Sequence, residues 1–146
     1  MRRYSLYLID HDVARNYFGK EEKLYRLFLD AENQLSPYRS VLLKQIDYIT
    51  QEIPKSRIHE TLVKEIGEQV NVDEKNQSYE ISSGNHMTRA VLMVKEKYMN
   101  LYAEGTCEAE TIFFEELRKI APSFLAMDFQ RDYYGWLNPI KQAKLV

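Results

Sequence analysis

The clearest hydrophobic pattern in the chain lies between Glu108 and Phe129. Apolar residues recur at the start of this segment at steps of three, one, four and three, which places them along one stripe of an α-helix. Thr106 is the predicted N-cap, and Pro122 ends the pattern because proline donates no hydrogen bond and disfavours a helical residue before it. Phe124–Phe129 then predicts a strand. The stripe indicates a core helix packed on a sheet, and it contains Ala109, Ile112, Phe113, Leu117 and Ile120.

The N-terminal part of the chain predicts a strand followed by three helices. Tyr4–Ile9 is apolar on both faces, which is typical of a central strand. Asp10 and Ser36 are the predicted N-caps of the first and third helices, and Gly19 stops the first. The predicted helices span His11–Phe18, Lys20 to about Asn33, and Pro37 to about Thr50. The inward positions of the second helix are Leu24, Leu27, Phe28 and Ala31.

The first helix carries two neighbouring apolar lines. Ala14 and Phe18 form one line at i, i+4, and Val13 and Tyr17 form the other. A helix of two turns can bury only one of these lines fully. We predict that Ala14 and Phe18 lie in the core, which leaves Val13 and Tyr17 near the surface.

The third helix carries more apolar surface than one buried stripe needs. Leu42, Ile46 and Ile49 form its predicted inner line. A second line consists of Val41, Gln45 and Tyr48. Tyr48 is therefore a surplus aromatic residue on a half-polar face. It either folds over the rim of the core with its hydroxyl in water or contacts another molecule.

The sequence pattern in the middle of the chain predicts one more helix and then three strands. Ile53-Pro54 breaks the chain, Ser56 caps a fourth helix that ends at Gly67, and Val70–Gln77 is polar enough to predict a loop. The next predicted strands are Ser78–Ser82, Thr88–Lys95 and Tyr98–Glu104, of which the second alternates poorly and is predicted to be covered on both faces.

The whole pattern predicts an α+β fold, with about five helices on a mainly antiparallel sheet of about five strands. Tyr133–Leu137 can add a short final piece in which Trp136 packs on the sheet. We expect residues 1–146 to form a single globular domain, with a short tail from about residue 140.

Composition narrows the function classes. The net charge is −2, which argues against a nucleic-acid binder that depends on counterion release. Cys107 is the single cysteine, which fits a cytoplasmic location. No apolar run reaches the roughly 20 residues that a membrane helix needs. The 11 tyrosines are a surplus that can serve either a core or a binding surface.

The sequence offers no recognisable catalytic or cofactor motif. Glu21-Glu22 and Glu115-Glu116 are adjacent pairs that diverge on a helix surface, and Cys107 has no predictable histidine partner. The three histidines are far apart, and no glycine-rich phosphate loop is present. Asp128 is an acid within an apolar run, for which a structural hydrogen bond is the expected role. We therefore predict no catalytic residues, no metal site and no cofactor.

Three blocks of the chain resemble the sporulation inhibitor of replication (SirA) family of Bacillus-type bacteria. The first contains Tyr7-Leu8-Ile9, Ala14, Tyr17-Phe18-Gly19 and Glu21, and the second contains Gln45-Ile46, Tyr48-Ile49-Thr50-Gln51 and Ile53-Pro54. The third runs from Glu108 to Phe129 and ends in Tyr134-Gly135-Trp136-Leu137-Asn138-Pro139. Together they cover a little over a third of the chain, in the order that the family has.

The resemblance implies a non-enzymatic inhibitor of chromosome replication that binds the N-terminal domain of the initiator DnaA during sporulation. In line with the net charge and the absence of a long apolar run, we expect no direct nucleic-acid contact and no membrane association. The partner-binding residues that the resemblance implies lie on the first and third helices: Val13, Tyr17, Gln45, Tyr48 and Ile49. The resemblance also leads us to expect phenylalanine where this chain has Val13. The alternatives are a small cytosolic enzyme with an unrecognised pocket and a weak nucleic-acid binder.

Overall fold

The computed structural model describes residues 1–84 and 87–138. Within these residues the chain forms five α-helices and one eight-stranded sheet. The helices are α1 (His11–Asn16), α2 (Glu21–Glu32), α3 (Arg39–Ile49), α4 (Lys55–Glu65) and α5 (Glu108–Ile120). The strands are β1 (Arg2–Ile9), β2 (Thr50–Gln51), β3 (Val70–Asp73), β4 (Ser78–Ser83), β5 (Thr88–Val94), β6 (Met99–Glu104), β7 (Phe124–Asp128) and β8 (Tyr133–Trp136).

The sheet is antiparallel at every pairing between the described strands. Its order is β3-β4-β5-β6-β1-β7-β8, and β2 pairs with the end of β1. β1 is hydrogen-bonded to β6 on one side and to β7 on the other, and Leu6 lies opposite Met99 and Ala126 in the two registers. The predicted central position of this strand is therefore confirmed.

The two faces of the sheet bury separate clusters of apolar side chains. Side chains alternate along a strand, so Leu6 and Leu8 of β1 pack on one face and Ile9 packs on the other. The cluster around Leu6 and Leu8 includes side chains of α4 and α5, such as Leu62 and Phe113. The cluster around Ile9 includes side chains of α1, α2 and α3: Ala14, Leu24, Tyr25, Phe28, Ala31 and Ile46.

The α+β class is confirmed, but the prediction of about five strands is wrong. Within Val70–Gln77, which the sequence predicts to be a loop, residues Val70–Asp73 form edge strand β3, and Val70 lies opposite Ile81 of β4. Only Val70 and Val72 are apolar there, and pairing with β4 supplies the order that the local composition does not predict. The sequence does not predict the two-residue strand β2 either. The short final piece is confirmed as β8.

The predicted burial of Phe18 is also wrong. Helix α1 ends at Asn16, the Phe18 amide donates to the Arg15 carbonyl oxygen at 3.3 Å, and Gly19 has a φ of +78°. The helix therefore ends before Phe18, and the Phe18 side chain does not share the buried helix face of Ala14. Ala14 is buried, whereas the Phe18 side chain is 37% exposed.

Strand β5 alternates more regularly than its sequence indicates. Ala90, Leu92 and Val94 are buried on one face, and Val91 and Met93 are only half-buried on the other. Helices cover the first of these faces, where α5 packs against β5. The prediction that this strand is covered on both faces is therefore wrong. The sequence is misleading here because the open face of the strand also carries apolar side chains.

Local capping follows the sequence within one or two residues. The Asp10 carboxylate accepts hydrogen bonds from the amides of Asp12 and Val13 at 3.0 and 3.3 Å, as predicted. Helices α3, α4 and α5 instead have Tyr38, Pro54 and Cys107 at the N-cap, rather than Ser36, Ser56 and Thr106. The predicted tail from about residue 140 lies outside the described residues.

Candidate protein-binding groove

An open groove of about 580 Å³ lies between α1, α2 and α3. We call it the α1–α3 groove. It is lined by all five residues for which the family resemblance implies partner binding. Its lining consists of Val13, Tyr17, Lys23, Leu24, Leu27, Val41, Lys44, Gln45, Tyr48 and Ile49.

Two tyrosine rings flank this groove from different helical segments. Tyr17 is the C-cap residue of α1 and is 36% exposed, and Tyr48 lies in the last turn of α3 and is 87% exposed. Both side chains line the same groove. Neither ring is sealed in the core, and the two do not point to opposite sides of the protein.

Backbone hydrogen bonds fix the two sides of the groove relative to each other. The amide of Asp10, the N-cap of α1, donates to the carbonyl oxygen of Ile49 at the end of α3 at 2.8 Å. The Thr50 hydroxyl donates to the Ile46 carbonyl oxygen at 2.7 Å and closes the last turn of α3. The start of α1 is therefore held against the end of α3.

Burial of one face holds α3 in place and leaves the neighbouring face open. Ile46 is buried, and Leu42 and Ile49 are half-buried, which matches the predicted inner line. Val41, Gln45 and Tyr48 are exposed, as the second line predicted for this helix. Of the residues on the α1 side, Val13 is half-buried.

Helix α2 contributes apolar side chains to the groove, at positions that the sequence predicts to face the core. Leu24 is buried and Leu27 is half-buried, and both contribute surface to the groove. The inward periodicity of α2 identified both residues but could not show that a third helix leaves part of that face open.

The charged residues that line the groove are both lysines. Lys23 on α2 and Lys44 on α3 are exposed, and neither forms an ion pair with another described residue. No acidic residue belongs to the lining. The side chains that line the groove thus carry a net positive charge, in a chain whose net charge is −2. Nothing in the spacing of these lysines along the sequence predicts that they share a site.

The buried acids and the shifted tyrosines lie elsewhere and have structural partners. Asp128 is buried and accepts hydrogen bonds from the Gln130 and Arg131 amides and from the Arg131 guanidinium at 2.6 Å, which confirms its predicted structural role. Burial and a hydrogen bond to Asp132 raise the pKa of Tyr25 to about 12. None of these groups lines the groove.

The side chains that line the groove combine a largely apolar surface with a few polar groups, and they include no carboxylate, histidine or cysteine. Its polar groups are one amide, two tyrosine hydroxyls and two ammonium groups on an otherwise apolar lining. Within residues 1–84 and 87–138, no set of three His, Cys, Asp or Glu side chains is placed to bind a metal ion. No helix in the same residues combines the length and apolar character that crossing a membrane requires.

Comparison with known proteins identifies the family. The family described as "Sporulation inhibitor of replication protein SirA" matches residues 2–141. The protein of that name from Bacillus subtilis (strain 168) is 40% identical over 147 residues, which cover 99% of this chain and 99% of that protein. The chain therefore belongs to the SirA family of sporulation inhibitors of replication.

Proposed function

We propose that this protein inhibits the initiation of chromosome replication during sporulation by binding the N-terminal domain of the initiator DnaA through the α1–α3 groove. Membership of the SirA family supports the inhibitory role, since the Bacillus subtilis relative is named for it. The choice of DnaA as partner follows from the resemblance of the three sequence blocks. We further propose a cytoplasmic location, where the initiator and the chromosome are found.

The observation that carries the proposal is the pairing of Tyr17 and Tyr48 on the rim of one apolar groove. Aromatic side chains at the centre of an interface supply large contact area at little entropic cost, and they dominate the energetics of many complexes. The Tyr48 ring is 87% exposed and lines the same groove as Leu24 and Leu27, so it loses contact with water when an apolar ridge of the partner enters. Gln45 and the tyrosine hydroxyls can then orient the partner through hydrogen bonds.

Inhibition would act by occupancy. Short helices that bear aromatic anchors suit the packing of helix against helix, and the contact would bury on the order of 800 Å² or less per side. Such a contact masks a surface that the initiator needs for self-assembly or for loading other factors. It requires no catalytic group and no cofactor on this chain.

The charge of the groove specifies the partner surface further. Lys23 and Lys44 would lie beside acidic side chains that flank the apolar ridge of the partner. Opposite charges of this kind raise the association rate and fix the orientation of docking more than they raise affinity. Binding is therefore expected to weaken moderately as the salt concentration rises.

Calorimetric titration of this protein with the isolated N-terminal domain of its cognate DnaA tests the proposal. We expect one-to-one binding, and Tyr48→Ala should weaken it by about 2 kcal/mol or more. The melting temperature of Tyr48→Ala should stay nearly unchanged because the ring is 87% exposed.

The matched control is Tyr133→Ala, which removes a tyrosine of β8 that is 62% exposed and does not line the groove. It should bind like the wild-type protein. Absence of wild-type binding contradicts the choice of partner. Equal losses in both variants contradict the choice of surface.

A further inference from the structure

The carboxylate of Glu21 joins two parts of the chain that are far apart in sequence. Its Oε1 atom accepts a hydrogen bond from the Gly19 amide at 2.9 Å and another from the indole Nε1 of Trp136 at 3.2 Å. Gly19 lies in the turn between α1 and α2, and Trp136 lies in β8. The Oε1 atom of Glu21 thus connects that turn to the edge strand β8.

The turn depends on hydrogen bonds because it buries little apolar surface. Tyr17 and Phe18 are 36% and 37% exposed, and α1 before them has six residues, of which only Ala14 is buried. Within the turn the Lys20 amide donates to the Tyr17 carbonyl oxygen at 2.8 Å. Tyr17 therefore sits two residues from the atom that Glu21 holds, on a segment that core packing restrains weakly.

Tyr48 has a different kind of support. It lies within the 11-residue helix α3, beside the buried Ile46, and its position follows from the packing of that helix. The hydrogen bonds of the Glu21 carboxylate to described residues outside its own backbone go to the Gly19 amide and the Trp136 indole, and neither partner belongs to α3. The two tyrosines of one groove thus depend on different parts of the fold.

The charge of Glu21 strengthens the hydrogen bonds that its carboxylate accepts. Burial acts to raise the pKa of this carboxyl, but hydrogen bonds from the backbone amides of Glu21 and Gly19 and from the Trp136 indole hold the pKa below its ordinary value. The group is therefore ionised at neutral pH. Hydrogen bonds to a carboxylate are shorter and stronger than those between neutral groups.

We propose that Glu21 and Trp136 are positioning residues that hold the Tyr17 turn in the conformation that the partner binds. This inference rests on the proposed function, because it assigns these residues a role in the same groove. Holding a segment in its bound conformation raises affinity by lowering the conformational entropy lost on binding. The Trp136 side chain thereby affects partner binding without lining the groove.

Two variants remove the proposed contact in different ways. Trp136→Phe keeps an aromatic ring and removes the donor, and Glu21→Ala removes the acceptor. Each should weaken binding of the DnaA N-terminal domain about three- to tenfold. Glu21→Gln retains an acceptor oxygen and should recover most of the affinity lost in Glu21→Ala.

Double-mutant cycles separate positioning from a general loss of structure. Trp136→Phe should have little further effect on affinity when Tyr17 is already alanine, since its effect acts through that ring. The same substitution should add its full effect to Tyr48→Ala. Equal effects of Trp136→Phe in both backgrounds, or no effect in the wild-type background, would overturn the proposal.

Hydrogen exchange in the free protein tests the same contact without a partner. Trp136→Phe should raise the exchange rates of the Phe18 and Gly19 amides and leave those of α4 unchanged. If the wild-type protein fails to bind the DnaA domain, the proposed function fails. In that case the exchange rates still test the structural part of the inference. Faster exchange in Trp136→Phe shows that Trp136 holds the Tyr17 turn, and unchanged exchange overturns this.

Discussion

The two faces of the sheet are covered to different extents. On one face α4 and α5 close over a cluster of aliphatic and aromatic side chains, in which Phe113 is 0% exposed. On the other face α1, α2 and α3 cover part of the sheet and leave a groove between them, where Tyr48 is 87% exposed. The α4–α5 layer is complete on its own, and the α1–α3 layer still has apolar surface to bury.

Tyrosine shows the same contrast within the α1–α3 layer. The Tyr25 ring stacks on Tyr134 and Phe129, with ring centroids 4.5 and 5.7 Å away, and its hydroxyl donates to Asp132 at 2.8 Å. The Tyr48 ring faces the groove. Residue type therefore does not distinguish a structural aromatic side chain from one available to a partner. The position of the side chain relative to the buried core distinguishes the two.

Phe113→Ala in the α4–α5 layer should have the largest effect on stability. Truncation of a fully buried phenylalanine leaves a cavity and should lower the free energy of unfolding by about 3 to 5 kcal/mol. Tyr48→Ala should change it by no more than about 0.5 kcal/mol. Urea unfolding of the two variants measures both values. A similar loss in both would show that the groove residues also hold the fold together.

Tyr25→Phe should lower the free energy of unfolding by about 1 kcal/mol, since it removes the hydrogen bond to Asp132 and keeps the stacked ring. Tyr48→Phe is the control and should be neutral. The folded-state pKa of Tyr25, about 12, lies above the usual tyrosine pKa of about 10. The contribution of Tyr25 to the free energy of unfolding is therefore complete below about pH 10 and falls as the pH rises towards about 12.

Unfolding measured at pH 9 and pH 11 tests this difference. The wild-type protein should lose more stability between these values than Tyr25→Phe does. An identical loss in the two proteins would contradict the link between the tyrosine hydroxyl and alkaline stability.

Local periodicity was sufficient for much of the fold and for the exposed line on α3. The spacing of Val41, Gln45 and Tyr48 predicts their common face, and the apolar content of Tyr4–Ile9 predicts a central strand. These features depend on residues a few positions apart, which is the range over which helix and strand periods act.

Features that depend on distant pairings could not be predicted in this way. Strand β3 is ordered by pairing with β4. The start of α1 meets the end of α3 through the hydrogen bond from the Asp10 amide to the Ile49 carbonyl oxygen, and Glu21 accepts hydrogen bonds from both Gly19 and Trp136. Lys23 and Lys44 come together only when α2 packs on α3. No local pattern encodes these contacts.

Charge reversal at the groove should have a smaller effect than loss of a tyrosine. Lys44→Glu should weaken binding to the DnaA N-terminal domain about five- to tenfold, mainly by slowing association, and high salt should reduce the difference from wild type. Lys64→Glu changes the net charge equally on the exposed surface of α4 and should have little effect. Stopped-flow association rates at two salt concentrations measure this. Equal slowing by both variants would mean that net charge matters and the rim of the groove does not.

Val13→Phe should have the smallest effect and the opposite sign. Val13 is half-buried on the α1 side of the groove, where the family resemblance leads us to expect a phenylalanine. A ring there would add apolar contact area beside Tyr17 and should raise affinity for the DnaA domain by about 0.5 to 1 kcal/mol. Val63→Phe introduces the same ring on the exposed surface of α4 and serves as the control. Calorimetry should show tighter binding for the first variant alone. Weaker binding of Val13→Phe would indicate that the partner of this chain fits the smaller side chain, and that the α1 side of the groove selects its partner by shape.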